Sequence, residues 1–146
     1  MLPGTNQDIR MQKKITNGVH HVGLTVPDLK DATDFFVEHL GFDVIGEKPA
    51  YPACFLHDGR VMLTLWQVRE DAPVQGFDRF HHLGLHHLAF AVAERSDLDE
   101  IYRRMAQLPE VEIEFAPEPL GAGPATHMML AGPGGIRLEF IHIPSP

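Results

Sequence analysis

A nine-residue segment occurs twice in the chain, and this duplication limits the possible architectures more than any other feature. Gly18-Val-His-His-Val-Gly-Leu-Thr-Val26 and Gly84-Leu-His-His-Leu-Ala-Phe-Ala-Val92 share four identities in nine, and most other positions exchange apolar for apolar or small for small. Self-similarity at a fixed offset marks a repeated supersecondary unit, which buries its apolar face against its copy. The repeat also extends past its first strand. In the first copy Asp28 is the expected N-cap, Leu29, Ala32, Phe35, Phe36 and Leu40 form one helical face, and Gly41 ends the helix. In the second copy Ser96 with Asp99 resembles a capping pair, Leu98, Ile101, Tyr102, Met105 and Leu108 form the stripe, and Pro109 stops it.

Three strand-like runs follow each helix. They are 42–46, 53–57 and 61–68 in the first half, and 111–115, 126–130 and 136–143 in the second. Asp58-Gly59 and Gly132-Pro133-Gly134-Gly135 mark tight reversals, whereas 117–124 reads as a connecting loop. These features predict an α+β fold of two βαβββ modules. Module one spans 15–68, a polar linker 69–79 and module two 80–146, all in one domain behind a loose tail at 1–14.

A chain of 146 residues suits one compact core. The formal net charge of -8 argues against nucleic acid or an anionic membrane surface as partner. No apolar run is long enough to cross a bilayer, and the first fourteen residues lack the apolar middle of a signal peptide. The single cysteine, Cys54, has no internal partner for a disulfide and reads as a packed small residue. A cytoplasmic location is expected.

Six of the ten histidines occur as adjacent pairs: His20-His21, His81-His82 and His86-His87. Alternation along a strand assigns a face to each member of the repeated pairs. His20, Val22, Leu24 and Val26 fall on the helix side, and His21, Gly23 and Thr25 on the open side. By the same parity His86 joins Leu88, Phe90 and Val92, while His87 joins Ala89 and Ala91. On the last strand Ile136, Leu138 and Phe140 are the buried set, so Arg137, Glu139 and Ile141 face outward with the open-side histidines. Two neutral imidazoles and one carboxylate, His21, His87 and Glu139, form a donor set that suits a divalent ion, Fe2+ foremost, with Mn2+, Ni2+, Zn2+ or Co2+ as possibilities. Each residue alone also has a plain structural reading, as a hydrogen-bonded strand histidine or a solvated surface acid.

The segments His21-Val-Gly-Leu-Thr-Val-Pro-Asp-Leu, Phe35-Phe36 to Leu40-Gly41-Phe42, Asp58-Gly59 to Leu65, His87-Leu-Ala-Phe-Ala-Val and Gly132-Pro-Gly-Gly-Ile-Arg-Leu-Glu-Phe140 together resemble the vicinal oxygen chelate superfamily of glyoxalases, bleomycin-resistance proteins and extradiol dioxygenases. The resemblance covers about 15–143. It implies a cupped mixed sheet around a metal that binds two neighbouring oxygens of a small substrate, commonly in a homodimer. Its ligand positions fall on His21, Thr64, His87 and Glu139. Glyoxalase-type members place an acid where Thr64 stands, and the other three match the ligand set of the extradiol dioxygenases and fosfomycin-resistance enzymes. The extradiol tyrosine ten residues before the ligand Glu corresponds to Met129. His127, on the same strand face, is the candidate acid/base, with an ordinary exposed strand histidine as the alternative. Gly23 replaces the threonine of the fosfomycin enzymes, whose C-terminal arginine also lacks a counterpart.

Phe55, Met62, Thr64, Trp66 and Met129 are the expected substrate pocket, apolar with an aromatic wall. Trp66 and the methionines could instead complete a core or a dimer contact. The resemblance implies a metal-dependent enzyme, foremost a dioxygenase-like oxidoreductase. A glyoxalase- or epimerase-type lyase or isomerase is the alternative, and a metal-free drug-binding resistance protein stands outside the enzymes.

Overall fold

The computed structural model describes residues 13–146, so the tail expected at 1–14 lies outside the described residues apart from Lys13 and Lys14. In module one, β1 (His21–Val26) leads into α1 (Leu29–Asp34), where Asp28 Oδ1 accepts the Asp31 N–H at 2.8 Å. A π-helical stretch, Phe35–His39, follows before Gly41, at φ 74°, ends the helix. The wider turn brings adjacent Phe35 and Phe36 both into the core, which a regular α-helix presents less readily.

β2 (Asp43–Lys48), β3 (Ala53–His57) and β4 (Met62–Gln67) complete a mixed sheet in the order β1-β4-β3-β2, with β1 parallel to β4. The β3–β4 hairpin is closed by Asp58, whose Oδ1 accepts from the N–H groups of Arg60 and Val61 at 2.8 Å each. Its neighbour Gly59 supplies the φ of 96°.

Module two repeats the plan with β5 (Leu88–Val92), α2 (Arg95–Met105), β6 (Glu112–Pro119), β7 (Thr126–Ala131) and β8 (Arg137–His142), ordered β5-β8-β7-β6. Several boundaries differ from the sequence expectation. The cap of α2 is Glu94, whose N–H donates to Asp97 Oδ2 at 3.1 Å, because Asp99 is engaged by Arg95 one turn away. The helix closes at Met105, ahead of Pro109, in a run of turns. β6 continues through Pro117 to Pro119, where a loop was expected. It is an edge strand with two register shifts, so a missing N–H interrupts no second ladder.

The helix sides of both sheets meet in a single apolar cluster. Leu24, Val26, Leu63 and Leu65 join Leu98, Met105, Met128, Leu130, Leu138 and Phe140, and burial of each such side chain contributes about 1.5–3 kcal/mol. An aromatic chain links the halves: Phe36 and Phe42 meet Phe90 edge-on at 6.4 and 5.9 Å, and Phe90 stacks on Phe140 at 5.9 Å. At another contact Gly134, at φ 77°, lies against Pro27 so closely that a Cβ would stand 2.5 Å from the proline Cδ. Cys54 packs in the same core, and burial pushes its thiol pKa up, which leaves it unreactive. No helix among the described residues is long and apolar enough to cross a membrane.

Candidate metal centre

The fold aligns the two halves of the repeat in identical register. Gly23 pairs with Thr64 between β1 and β4, and Ala89 pairs with Glu139 between β5 and β8. Thr64 and Glu139 are therefore equivalent positions, one a hydroxyl and the other an acid.

Glu139 lies on β8 between β5 and β7, and a histidine approaches its carboxylate from each side. His87, just before β5, places Nε2 3.5 Å from Oε2, and His127 on β7 places Nδ1 3.6 Å from Oε1. Met129 stands directly opposite Glu139 in the ladder, and His127 lies two residues before it on the same face. The His127 and Glu139 side chains are 12% and 13% exposed, and His87 is 35% exposed. Neither contact is short enough for a good N–H···O bond. His127 Nδ1 is buried without any hydrogen-bond partner, with its ring against Phe115 at 4.9 Å. An unpartnered nitrogen and a second imidazole thus flank one carboxylate, each beside a different oxygen.

His21 is not part of this group. It lies exposed at the start of β1, its ring against that of His20, and has no ionic contact with Glu139. Among the described residues, no three His, Cys, Asp or Glu side chains are placed to hold an ion within one chain.

Of the expected pocket residues, Met129 borders Glu139, and Phe55, Met62, Thr64 and Trp66 belong to the other sheet. Thr64 is buried and its Oγ1 accepts from Trp66 Nε1 at 2.9 Å. Gly23 makes this possible, since a Cβ there would lie 3.1 Å from that oxygen. Phe55 and Tyr51 pack on Trp66 at 6.0 and 4.9 Å, and Lys48 Nζ sits 5.9 Å from the indole centroid. Tyr51 and Lys48 carried no sequence signal, because they lie in the β2–β3 turn and at the end of β2, outside the alternation of β4. The cavities of about 400 and 340 Å³ beside the linker are lined by none of these site or pocket residues.

The parity of His20 and His86 is corrected by the structure. Both precede their strands, both are exposed, and each turns its ring onto its neighbour instead of entering the helix side. Pleating begins one residue later than the apolar pattern suggests in β1 and two residues later in β5.

A polar cluster missed by sequence reading borders the centre. Arg137, two residues before Glu139, donates from Nε and Nη2 to Glu114 at 2.7 Å each, and Arg79 of the linker donates to the same carboxylate at 2.7 Å. Arg137, and secondarily Arg79, hold the Glu114 carboxyl at about 2. A lowered folded-state pKa contributes stability above the ordinary value of 4.5 that is lost as pH falls toward about 2. Glu114→Gln is expected to cost about 2 kcal/mol at pH 7 and much less at pH 3, as read from urea midpoints at the two pH values.

The family model of the Glyoxalase/Bleomycin resistance protein/Dioxygenase superfamily matches residues 18–140. A curated relative, the 2-epi-5-epi-valiolone epimerase of Actinomyces sp, is 30% identical over 87% of this chain and 80% of its own length. The glyoxylase/bleomycin resistance protein/dioxygenase domain from Frankia sp. EAN1pec superposes with a TM-score of 0.73 at 25% identity, over 87% of this chain and 98% of its own. The fosfomycin resistance protein FosX from Listeria monocytogenes does so with a TM-score of 0.70 at 18% identity, over 89% and 96%. The chain belongs to the glyoxalase/bleomycin resistance/dioxygenase superfamily.

Proposed function

We propose that this protein is a divalent-metal enzyme that grips a small substrate through two neighbouring oxygens and moves a proton at an adjacent carbon, an isomerase of the epimerase type. The observation that carries the reading is the Glu139 carboxylate flanked by His87 Nε2 and His127 Nδ1. The donor set fits a metal: an imidazole nitrogen and a carboxylate oxygen face each other at 3.5 Å, beyond a hydrogen bond, as two ligands of one ion do. His87 and Glu139 would supply two ligands, and His21 of a second copy in a homodimer the third. This set suits Fe2+ and also accepts Mn2+, Ni2+, Zn2+ or Co2+.

When bound, the ion polarises substrate oxygen and acidifies the neighbouring C–H. His127, lying beyond the direct ligands, would accept that proton at its unpartnered Nδ1, and delivery of a proton from solvent water to the opposite face would invert the carbon. Trp66, Phe55 and Tyr51, on the same sheet as His21, would come with it from the second copy and shield an apolar edge of the substrate from water.

Proton transfer has firmer support than oxygen insertion. The position of His127 beside Glu139 supports that reading, and the 30%-identical relative is an epimerase. An oxygenase using the same ligands would have Met129 where the extradiol enzymes carry a tyrosine. The test is incubation of metal-loaded protein in D2O with 2-epi-5-epi-valiolone and other small hydroxyketones. Deuterium should enter the carbon beside the carbonyl, and His127→Gln should slow exchange about a hundredfold. Oxygen uptake with catechols and no exchange would overturn the assignment.

A further inference from the structure

We propose that His86 is a positioning residue that holds His87 in the tautomer carrying its proton on Nδ1, leaving the Nε2 lone pair free for the ion. The inference rests on the metal reading above and assigns a role to the adjacent histidines that reading leaves unused. His86 Nδ1 and His87 Nδ1 are 2.7 Å apart, with the rings edge-on at 5.0 Å. A neutral imidazole has one N–H and one lone pair, so a bond at that distance needs a single proton between the two nitrogens. Either ring could supply it.

Arg137 decides between them. Its Nη1 lies 3.4 Å from His86 Nδ1, and this cation, which has only donors to offer, favours a lone pair over an N–H on that nitrogen of His86. His87 is then the donor from Nδ1, and its Nε2, the atom 3.5 Å from Glu139, is unprotonated. Arg137 is itself held by two bonds to Glu114. A chain from Glu114 through Arg137 and His86 thus fixes both the rotation and the proton of His87. Ligand histidines characteristically donate their second nitrogen to such a partner, and losing it weakens metal binding by about 10–100-fold. The ring contact recurs between His20 and His21, Nδ1 to Nδ1 at 2.9 Å. There β4 carries Met62 opposite His21 and no arginine.

Two measurements test the assignment. In metal-free protein, imidazole 15N shifts should show His87 protonated on Nδ1. A proton on Nε2 would overturn the inference whatever the metal does. Affinity for Co2+, read by its visible spectrum in competition with a chelator, should fall about 10–100-fold in His86→Ala. His86→Asn, whose amide oxygen can accept in place of Nδ1, should stay within a few-fold of the parent, a rescue that a merely structural role does not produce. His86 is exposed, so both variants should keep the parent melting temperature. His86→Ala binding as the parent does, while His87→Ala binds poorly, removes the positioning role and leaves the metal reading intact. Equal weakness in the Ala and Asn variants also overturns it. Parent-like affinity in His87→Ala overturns both.

Discussion

Replacing His87 by alanine is expected to weaken divalent-metal binding on the order of a thousandfold, about 4 kcal/mol, without unfolding the protein. The substitution removes Nε2, the donor facing Glu139, from a half-exposed ring outside the apolar cluster. Glu139→Gln should have a similar effect, since an amide oxygen carries no charge to offset that of the ion. Calorimetric titration of the metal-free protein with Co2+ measures both variants. Unchanged metal content in His87→Ala would remove the proposed centre and leave a binding protein as the better description. His127→Gln supplies the contrast: in the proposed mechanism this ring moves a proton and does not hold the ion, so exchange should fall while the ion stays bound.

Phe140→Ala is expected to cost about 3–5 kcal/mol, enough to unfold a large share of the molecules of a marginally stable domain. Phe140 is 2% exposed, sits in the middle of β8 and stacks on Phe90, which in turn meets Phe36 and Phe42 of the other module. The cavity therefore opens at the seam between halves, where neither sheet can relax alone. A urea melt should show one transition shifted to lower denaturant. Two separated transitions would mean that the modules unfold independently.

Much of the fold was legible because duplication supplies its own control. The residues of β3, the cap at Asp28 and the hairpin at Asp58-Gly59 stand where the pattern predicts them. The face shared by Glu139 and His127 could be read because β7 and β8 are regular and pair without a shift. Legibility failed where regularity fails. Glu114 lies at the first register shift of β6, so alternation could not assign its side, and its grip on Arg137 and Arg79 was invisible. His20 and His86 precede the first pleated residue, where parity has no force. The expected union of His21 with His87 could not be read at all, since alternation gives a direction within a sheet and not the distance between two sheets.

The matched register of Thr64 and Glu139 has a consequence for handedness of binding. Two halves copied from one plan differ at this position, where one carries a carboxylate and the other a hydroxyl already committed to an indole. A ligand spanning both would be held head to tail in one sense only. The scaffold is thus nearly twofold in its backbone and one-way in its chemistry.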